Sequence, residues 1–208
     1  MPSNINTKTC KTTGALYSYK NVVTANAKGA RSVVAADFNG DGFPDLATAS
    51  FKDHTVSVFR NLGNDAYEDI GDRFGPRVVL TDDAFGAWSV WAADLDSDKD
   101  LDIISVSMND DKIRWFRNDG TGSFSKEIII TEKCICGMSV VAADFDKDGH
   151  LDLLTSMMNS NTIAWYKNMD GKGTFSSEKF VDQDASKAMD AIAVDINNDG
   201  WIDIVAYV

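Results

Sequence analysis

Short hydrophobic runs of four to six residues recur along the chain, and polar segments containing glycine and asparagine separate them. The runs are rich in Val, Ile and aromatic residues, and this length and composition predict β-strands rather than helices. Four of the runs share a pattern that ends in aspartate: Ser32–Asp37, Ser89–Asp94, Ser139–Asp144 and Asp190–Asp195. Their final aspartates are 57, 50 and 51 residues apart, so the chain consists of repeats of about fifty residues.

Each repeat has the same internal order of hydrophobic runs. An aspartate-rich loop joins the first run to the second, the third run is aromatic, and a fourth run closes the repeat. The first run is almost continuously apolar, so we expect an inner strand covered on both faces. The third and fourth runs alternate more, so we expect them nearer solvent. Four short strands in about fifty residues are typical of a β-propeller blade.

The predicted fold class is therefore all-β, a β-propeller-type repeat with four-stranded antiparallel blades. About three and a half to four blades fit the chain, as an imperfect four-blade ring, as part of a larger ring or as an open array. A polar, glycine-bearing insertion near Asn64 to Gly75 lengthens the first repeat, and the N-terminal strand, at the place of a fourth strand, could complete the last blade. The predicted parts are a polar tail at 1–15, a single domain at 16–208 with an N-terminal strand at 16–24, and repeats at about 25–81, 82–131, 132–182 and 183–208.

The loop between the first and second runs carries the candidate chemistry. In all four repeats it has Asp or Asn at positions 1, 3 and 5 and Asp at position 9. Three loops have Gly at position 6, where the chain turns sharply, and Lys99 replaces it in the second, which predicts a left-handed or strained backbone there. Position 7 is expected to offer its backbone carbonyl, as in the related EF-hand loop. The candidate metal ligands are Asp37, Asn39, Asp41, Phe43 and Asp45; Asp94, Asp96, Asp98, Asp100 and Asp102; Asp144, Asp146, Asp148, His150 and Asp152; and Asp195, Asn197, Asp199, Trp201 and Asp203.

This spacing points to calcium, with up to four Ca²⁺ ions in the chain. Calcium takes six to eight oxygen ligands, and carboxylates converging on one tight turn repel one another unless a cation lies among them. A single Asp-Gly turn is common without metal, but four in the same phase favour a metal. An EF-hand is excluded because it needs Glu at position 12, where these loops have Thr48, Ser105, Thr155 and Ala206.

Net charge and histidine content exclude other classes. The formal charge of −12 argues against binding to nucleic acid or an anionic membrane surface, and no apolar stretch is long enough for membrane insertion. His54 and His150 are far apart, and no nucleophile or phosphate-loop motif is present, so we predict that the protein is not an enzyme. The three cysteines have no regular spacing and form no disulfide framework.

Tryptophan is frequent for a chain of this size. Trp88 precedes an inner strand and could lie at a rim, where sugar rings stack on aromatic side chains. Trp115 and Trp165 occupy matching positions in the third run, which favours packing between blades. The aromatic residues therefore leave a glycan ligand and a purely structural role both open.

The aspartate loops, which follow strands such as Val33–Asp37, resemble the FG-GAP/VCBS repeats of integrin-α-type β-propellers. Phe85–Val90 is similar to the Phe-Gly start of those repeats, whereas Cys136 and Lys187 stand at the glycine position of the later units. The resemblance covers about residues 17–208. It implies calcium held on one rim of a usually seven-bladed propeller, and an adhesion, ligand-binding or lectin-like carbohydrate-binding module, or an accessory non-catalytic domain of a larger secreted enzyme.

Compartment and partners follow from the same resemblance. Loops tuned to roughly 0.1–1 mM calcium would be filled outside the cell, so we expect an extracellular or cell-surface protein. No secretory signal is visible at the start, which suggests a fragment or an unusual start. The expected partners are a protein or glycan ligand, and either a second copy or the remainder of a larger chain that completes the ring.

Overall fold

The computed structural model describes residues 23–24, 26–63 and 73–208. The predicted tail at 1–15, most of the predicted strand at 16–24 and most of the insertion, 64–72, lie outside the described residues. The described part contains fourteen β-strands and no helix, which confirms the all-β prediction. Consequently it offers no helix of the length and hydrophobicity that a membrane crossing needs.

The strands form three complete four-stranded antiparallel blades and one antiparallel pair. In each complete blade the strands hydrogen-bond in chain order, as predicted, so the described array is three and a half blades long. Blade 1 contains β1 (Ala30–Ala36), β2 (Asp45–Ser50), β3 (Thr55–Phe59) and β4 (Val78–Thr81); blade 2 contains β5 (Ala87–Ala93), β6 (Asp102–Ser107), β7 (Ile113–Phe116) and β8 (Ile128–Thr131); blade 3 contains β9 (Gly137–Ala143), β10 (Asp152–Met157), β11 (Thr162–Tyr166) and β12 (Lys179–Asp182); and the half-blade contains β13 (Asp190–Val194) and β14 (Asp203–Tyr207).

The blades pack against one another in chain order through their first strands. β1 lies against β5, β5 against β9, and β9 against β13, which gives an open array. The amide of Val90 in β5 donates to the Ser32 hydroxyl in β1 at 3.2 Å, and the amide of Ala191 in β13 donates to the Ser139 hydroxyl in β9 at 3.1 Å. A small hydroxyl in the first strand therefore anchors the backbone of the next blade.

The core lies between blades, and it corrects the expected order of burial. In the three complete blades the second strands are almost wholly buried, and so are the third strands, which the sequence placed nearer solvent. The reason is that Trp115 of blade 2 and Tyr166 of blade 3 share one hydrophobic cluster, so the aromatic third strands pack between blades. In the half-blade, β14 is half-buried or exposed. The first strands β1 and β13 are partly exposed instead of covered on both faces, whereas the fourth strands are exposed or half-buried as expected.

Turns at the end of the blades opposite the aspartate loops tie each blade to the next. A residue between the second and third strands accepts a backbone N–H from the segment that precedes the next first strand. The pairs are His54 with Gly86 at 3.1 Å, Asp111 with Cys136 at 2.9 Å, and Asn161 with Lys187 at 2.9 Å. All six residues have a left-handed backbone, so Cys136 and Lys187 keep the conformation of the glycine that they replace in the Phe-Gly motif.

Candidate metal centres

The four aspartate loops each join the first strand of a blade to its second, so they lie at one end of the array. They are loop 1 (Asp37–Asp45), loop 2 (Asp94–Asp102), loop 3 (Asp144–Asp152) and loop 4 (Asp195–Asp203). At position 6 the φ angles of Gly42, Lys99, Gly149 and Gly200 are 86°, 78°, 89° and 82°. The prediction that Lys99 adopts a left-handed backbone is therefore confirmed.

Position 4 also has a left-handed backbone in every loop, which the sequence analysis missed. The φ angles of Gly40, Ser97, Lys147 and Asn198 are 70°, 61°, 60° and 59°. Only Gly and Asn among these residues favour the conformation, so no single residue type marked the position. Two left-handed residues within three positions curl the backbone so that alternate side chains turn toward the inside of the loop.

The carboxylate at position 1 is fixed by two backbone amides of its own loop. In loop 3 the amides of Asp148 and Gly149 donate to the two oxygens of Asp144 at 3.1 and 2.9 Å. Asp37, Asp94 and Asp195 accept the equivalent pairs of bonds in the other loops. The hydrogen bond from Gly42 lowers the pKa of Asp37, so Asp37 is held as an ionised, oriented carboxylate.

Positions 5 and 7 are linked in the same way in all four loops. The position 7 amide donates to Oδ1 of the position 5 aspartate at 2.9, 3.0, 2.9 and 2.8 Å in loops 1 to 4. This bond fixes the peptide of position 7 beside the carboxylates. The role of its carbonyl as a ligand stays a prediction.

The aspartate at position 9 has a second function that the sequence analysis did not identify. Asp45, Asp102 and Asp152 are almost fully buried. Their Oδ1 atoms accept the backbone N–H of the asparagine that ends the third run, Asn61, Asn118 or Asn168, at 2.6, 2.8 and 2.7 Å. Position 9 therefore ties the loop to the third strand, and the asparagine repeated at the end of each third run was the available signal.

Burial changes the acidity of these position 9 carboxyls. Desolvation raises the pKa of Asp102 to about 7, against the hydrogen bonds from Asn118 and Leu95 that lower it. Desolvation likewise raises the pKa values of Asp45 and Asp152. A cation close to these groups would favour their ionised form.

Loops 2 and 3 bring a basic side chain from the third run into contact with their carboxylates. Arg117 forms an ion pair with Asp96 and lies 3.3 Å from Asp98. Lys167 forms an ion pair with Asp146 and lies 2.8 Å from Asp148. The aspartates are at positions 3 and 5 in both loops, and the sequence analysis did not connect them with the third run.

Loops 1 and 4 differ at position 3, where they have Asn39 and Asn197. Each asparagine Oδ1 accepts the position 5 amide, at 3.0 Å in loop 1 and 2.8 Å in loop 4. Arg60, the blade 1 counterpart of Arg117, donates instead to the carbonyl oxygen of Thr121 in blade 2. Loop 4 belongs to the half-blade, which has no third strand among the described residues.

The donor atoms of loops 2 and 3 fit a hard cation. Carboxylate oxygens of Asp94, Asp96 and Asp98 lie within 4.8 Å of one another, as do those of Asp144, Asp146 and Asp152. The Oδ1 atoms of Asp96 and Asp146 are buried without a hydrogen-bond partner, which is costly for a carboxylate unless an ion or water meets it. The donors are all oxygen, which suits calcium better than zinc.

Trp88, a candidate for sugar stacking, is covered by a neighbouring side chain. The Arg31 guanidinium lies 4.5 Å from its ring centre, and Phe51 meets its edge with ring centres 5.7 Å apart. Trp115 is buried and Trp165 half-buried, each beside a core cluster, as predicted. Trp91 on β5 and Trp201 in loop 4 keep 38% and 51% of their surface exposed.

A groove of about 590 Å³ runs between blades 1 and 2 at the end that carries the loops. Its lining combines apolar side chains of blade 1, among them Leu62 and Val79, with Phe124 of the β7–β8 turn. Arg60 and Lys126 contribute positive charge beside this apolar surface. A mixed apolar and polar groove of this size is suitable for a small ligand.

A family model for FG-GAP-like repeats matches the chain at residues 37–105, 94–155 and 155–206. These three overlapping segments include all four aspartate loops. Among curated protein sequences, none matches this chain.

Three solved structures that resemble this chain belong to longer chains. A lectin from Agrocybe aegerita, described as specifically recognising non-reducing terminal N-acetylglucosamine, is 25% identical with a TM-score of 0.56; the match covers 83% of this chain and 45% of that one. The biofilm matrix protein Bap1 of V. cholerae is 19% identical with a TM-score of 0.45, covering 90% and 30%. A Photorhabdus luminescens Tc holotoxin pore is 18% identical with a TM-score of 0.40, covering 81% and 8%. The chain thus spans less than half the length of each.

Proposed function

Because the chain belongs to the FG-GAP-like repeat family, we propose that it is a calcium-binding β-propeller-type module that binds a ligand outside the cell. Loops 1 to 4 each hold one Ca²⁺ through positions 1, 3 and 5, the carbonyl of position 7, and the carboxylate of position 9. The ion neutralises the clustered carboxylates and fixes the turn between the first and second strands.

The observation that carries this proposal is the hydrogen-bond pattern shared by the four loops. Position 1 accepts the amides of positions 5 and 6, and position 5 accepts the amide of position 7, in every loop. Residue types differ between the loops at positions 2, 4 and 7, whereas the oxygen donors at positions 1, 5 and 9 do not. An ordinary hairpin turn would not require this selection of oxygen donors.

A thermal melt with and without chelator tests the calcium proposal. An ion that binds only the folded protein stabilises it by mass action, so millimolar calcium should raise the melting temperature of chelator-treated protein. Magnesium at the same concentration is the matched control, because it demands a tighter octahedral site and dehydrates reluctantly. Identical melting curves in chelator and in calcium would contradict the proposal.

For the ligand, we propose a glycan, in preference to a protein. The support is the likeness to the Agrocybe aegerita lectin, whose described specificity is terminal N-acetylglucosamine. The groove between blades 1 and 2, with Phe124 beside polar Ser123 and Ser125, offers an apolar face and hydroxyl groups for a sugar ring. Val79→Asp would place a charge on the apolar wall of this groove.

Calorimetric titration with N-acetylglucosamine tests the ligand class. We expect binding in calcium that Val79→Asp weakens, whereas Val181→Asp, an equally exposed change on the fourth strand of blade 3, should not. Glucose, which lacks the acetamido group, is the ligand control. A glycan array without any signal would favour a protein ligand or a scaffolding role.

The proposal also includes an extracellular location and a non-catalytic role. Loops of this type suit the millimolar calcium found outside cells. We propose a non-catalytic module, either independent or accessory to a larger secreted protein, whose ring is completed by a second copy or by further chain.

A further inference from the structure

The charge of the loop side chains follows a rule that links position 3 to the third run. Loops 1 and 4 have three aspartates at positions 1, 5 and 9 and a neutral asparagine at position 3. Loops 2 and 3 have a fourth aspartate at position 3 and a basic residue in contact with it. Counted over positions 1, 3, 5 and 9 and the contacting base, each loop therefore has the same net charge, and loop 2 has one further carboxylate, Asp100, at position 7.

In loops 2 and 3 the two oxygens of the position 3 carboxylate have different surroundings. In Asp146, Oδ2 pairs with Lys167 while Oδ1 is buried without a hydrogen-bond partner. In Asp96, Oδ2 pairs with Arg117 and Oδ1 is likewise buried and unpartnered. One oxygen is thus committed to the tethered base, and the other stays available to an ion.

A basic residue at the end of the third run does not always form an ion pair with position 3 of the loop. Blade 1 has Arg60 at the matching position, beside the neutral Asn39, and its guanidinium reaches the carbonyl of Thr121 in the next blade. Among the described residues, the base forms an ion pair with position 3 in loops 2 and 3 only. In loop 1 the charge of Arg60 acts on Asp45 at position 9 without an ion pair to position 3. The ion pairs raise the pKa values of Arg117 and Lys167, so both remain cations at any physiological pH.

We infer that Arg117 and Lys167 set the calcium affinity of loops 2 and 3, each acting as a tethered cation that offsets the extra carboxylate at position 3. This inference rests on the proposed calcium function. The tethered cation repels an incoming ion and holds the carboxylates together before the ion arrives. It tunes loops 2 and 3 toward the affinity of loops 1 and 4, which have asparagine in place of the extra acid at position 3 and, among the described residues, no ion pair there.

A double-mutant cycle in the full chain tests the inference at loop 3. The chain has two histidines: His150 at position 7 of loop 3, whose ring NMR signal reports calcium there, and His54 at the opposite end of a blade, which is an internal control. Lys167→Met removes the charge and keeps the stem, so the calcium concentration for half-maximal change should fall on the order of tenfold. Asp146→Asn alone should raise it, and the double variant should lie within about threefold of wild type.

A second readout separates tuning from a merely structural role. In chelator, Lys167→Met should melt below wild type, because Asp146 and Asp148 lose their counter-charge. In saturating calcium the deficit should disappear. A structural role alone would lower both melting temperatures by a similar amount. Lys179→Met, whose parent side chain lies over the Trp165 ring, is the matched control and should leave total calcium affinity unchanged in calorimetry.

The outcomes distinguish this inference from the proposed function. If wild-type His150 responds to calcium but Lys167→Met binds with equal or lower affinity, the inference is overturned and the calcium function stands. If wild-type protein shows no response to calcium, both are overturned. A double variant whose calcium affinity lies more than about threefold from that of wild type would also contradict the compensation.

Discussion

Asn118 of blade 2 donates from its side-chain Nδ2 to the carbonyl oxygen of Phe38 in blade 1, at 2.7 Å. Phe38 is position 2 of loop 1. The asparagine that ends the third run of blade 2 therefore hydrogen-bonds to the aspartate loop of the preceding blade. Asn168 repeats the contact with Leu95 of loop 2 at 2.8 Å. Each of these asparagines also donates its backbone N–H to the position 9 aspartate of its own blade. Loop geometry and blade packing are therefore coupled through one residue, which uses its backbone N–H within the blade and its side chain between blades.

The contact between Asn118 and Phe38 predicts a stability effect. Asn118→Ala would leave buried carbonyl oxygens of Phe38 and Leu101 without their donor, and we expect a loss of about 1–3 kcal/mol in the free energy of unfolding. Chemical denaturation in calcium measures it. The control is Asn61→Ala, because Asn61 Nδ2 donates within its own blade, to the Pro44 carbonyl, at an exposed site. Equal losses in the two variants would refute the coupling between blades.

Lys99 predicts a stabilising substitution. Its φ of 78° lies in the left-handed region, where glycine is placed in the other three loops. Lys99→Gly should raise the free energy of unfolding by about 1 kcal/mol, because a side chain with a Cβ is disfavoured there. The reverse change, Gly149→Lys in loop 3, meets no atom within 4 Å of the new Cβ and should lower it by a similar amount through backbone strain alone. Destabilisation by Lys99→Gly would show that the Lys99 side chain has a supporting role.

The raised pKa of Asp102 predicts how the stability of the calcium-free protein depends on pH. Burial raises the pKa of Asp102 to about 7 from an ordinary value of 3.8, so the folded protein binds this proton more tightly than the unfolded chain does. Stability should therefore rise as the pH falls from 7 toward 4. Asp37 and Asp148, whose pKa values are lowered, lose their contribution only at more acidic pH.

Denaturation in chelator at several pH values tests this dependence. Asp102→Asn, which has no ionisable carboxyl, should flatten the rise between pH 7 and 4. Saturating calcium should also flatten it, because the ion favours the carboxylate over the acid. A stability that falls steadily across this window in chelator would contradict the effect of burial on Asp102.

The sequence predicted the repeat, the strand order and the position of the loops because hydrophobic period and turn residues are local signals. It did not predict that the third strands are buried. Side chains that share a buried cluster with Trp115, such as Leu153 and Tyr166, come from the next blade, 38 and 51 residues further along the chain. Whether a third strand is buried depends on how neighbouring blades pack. The alternation of apolar and polar residues within one strand does not indicate this packing.

The loops show the same division between local and distant information. The left-handed backbone of Lys99 followed from comparison with the glycines of the other loops, since backbone conformation is a local property. The pairing of Lys167 with Asp146 joins a residue just after β11 to one in loop 3. Arg60, which donates to Thr121 of the next blade, shows that a basic residue at the matching position need not pair with position 3 of its loop. Only the three-dimensional arrangement distinguishes the two cases.

The calcium content of the purified protein tests the central claim most directly. After dialysis against buffer containing millimolar calcium and a brief removal of free ion, elemental analysis should find up to four calcium ions per chain, and prior treatment with chelator should remove them. A calcium content of zero in protein that retains its β-sheet circular dichroism and cooperative unfolding would contradict the account.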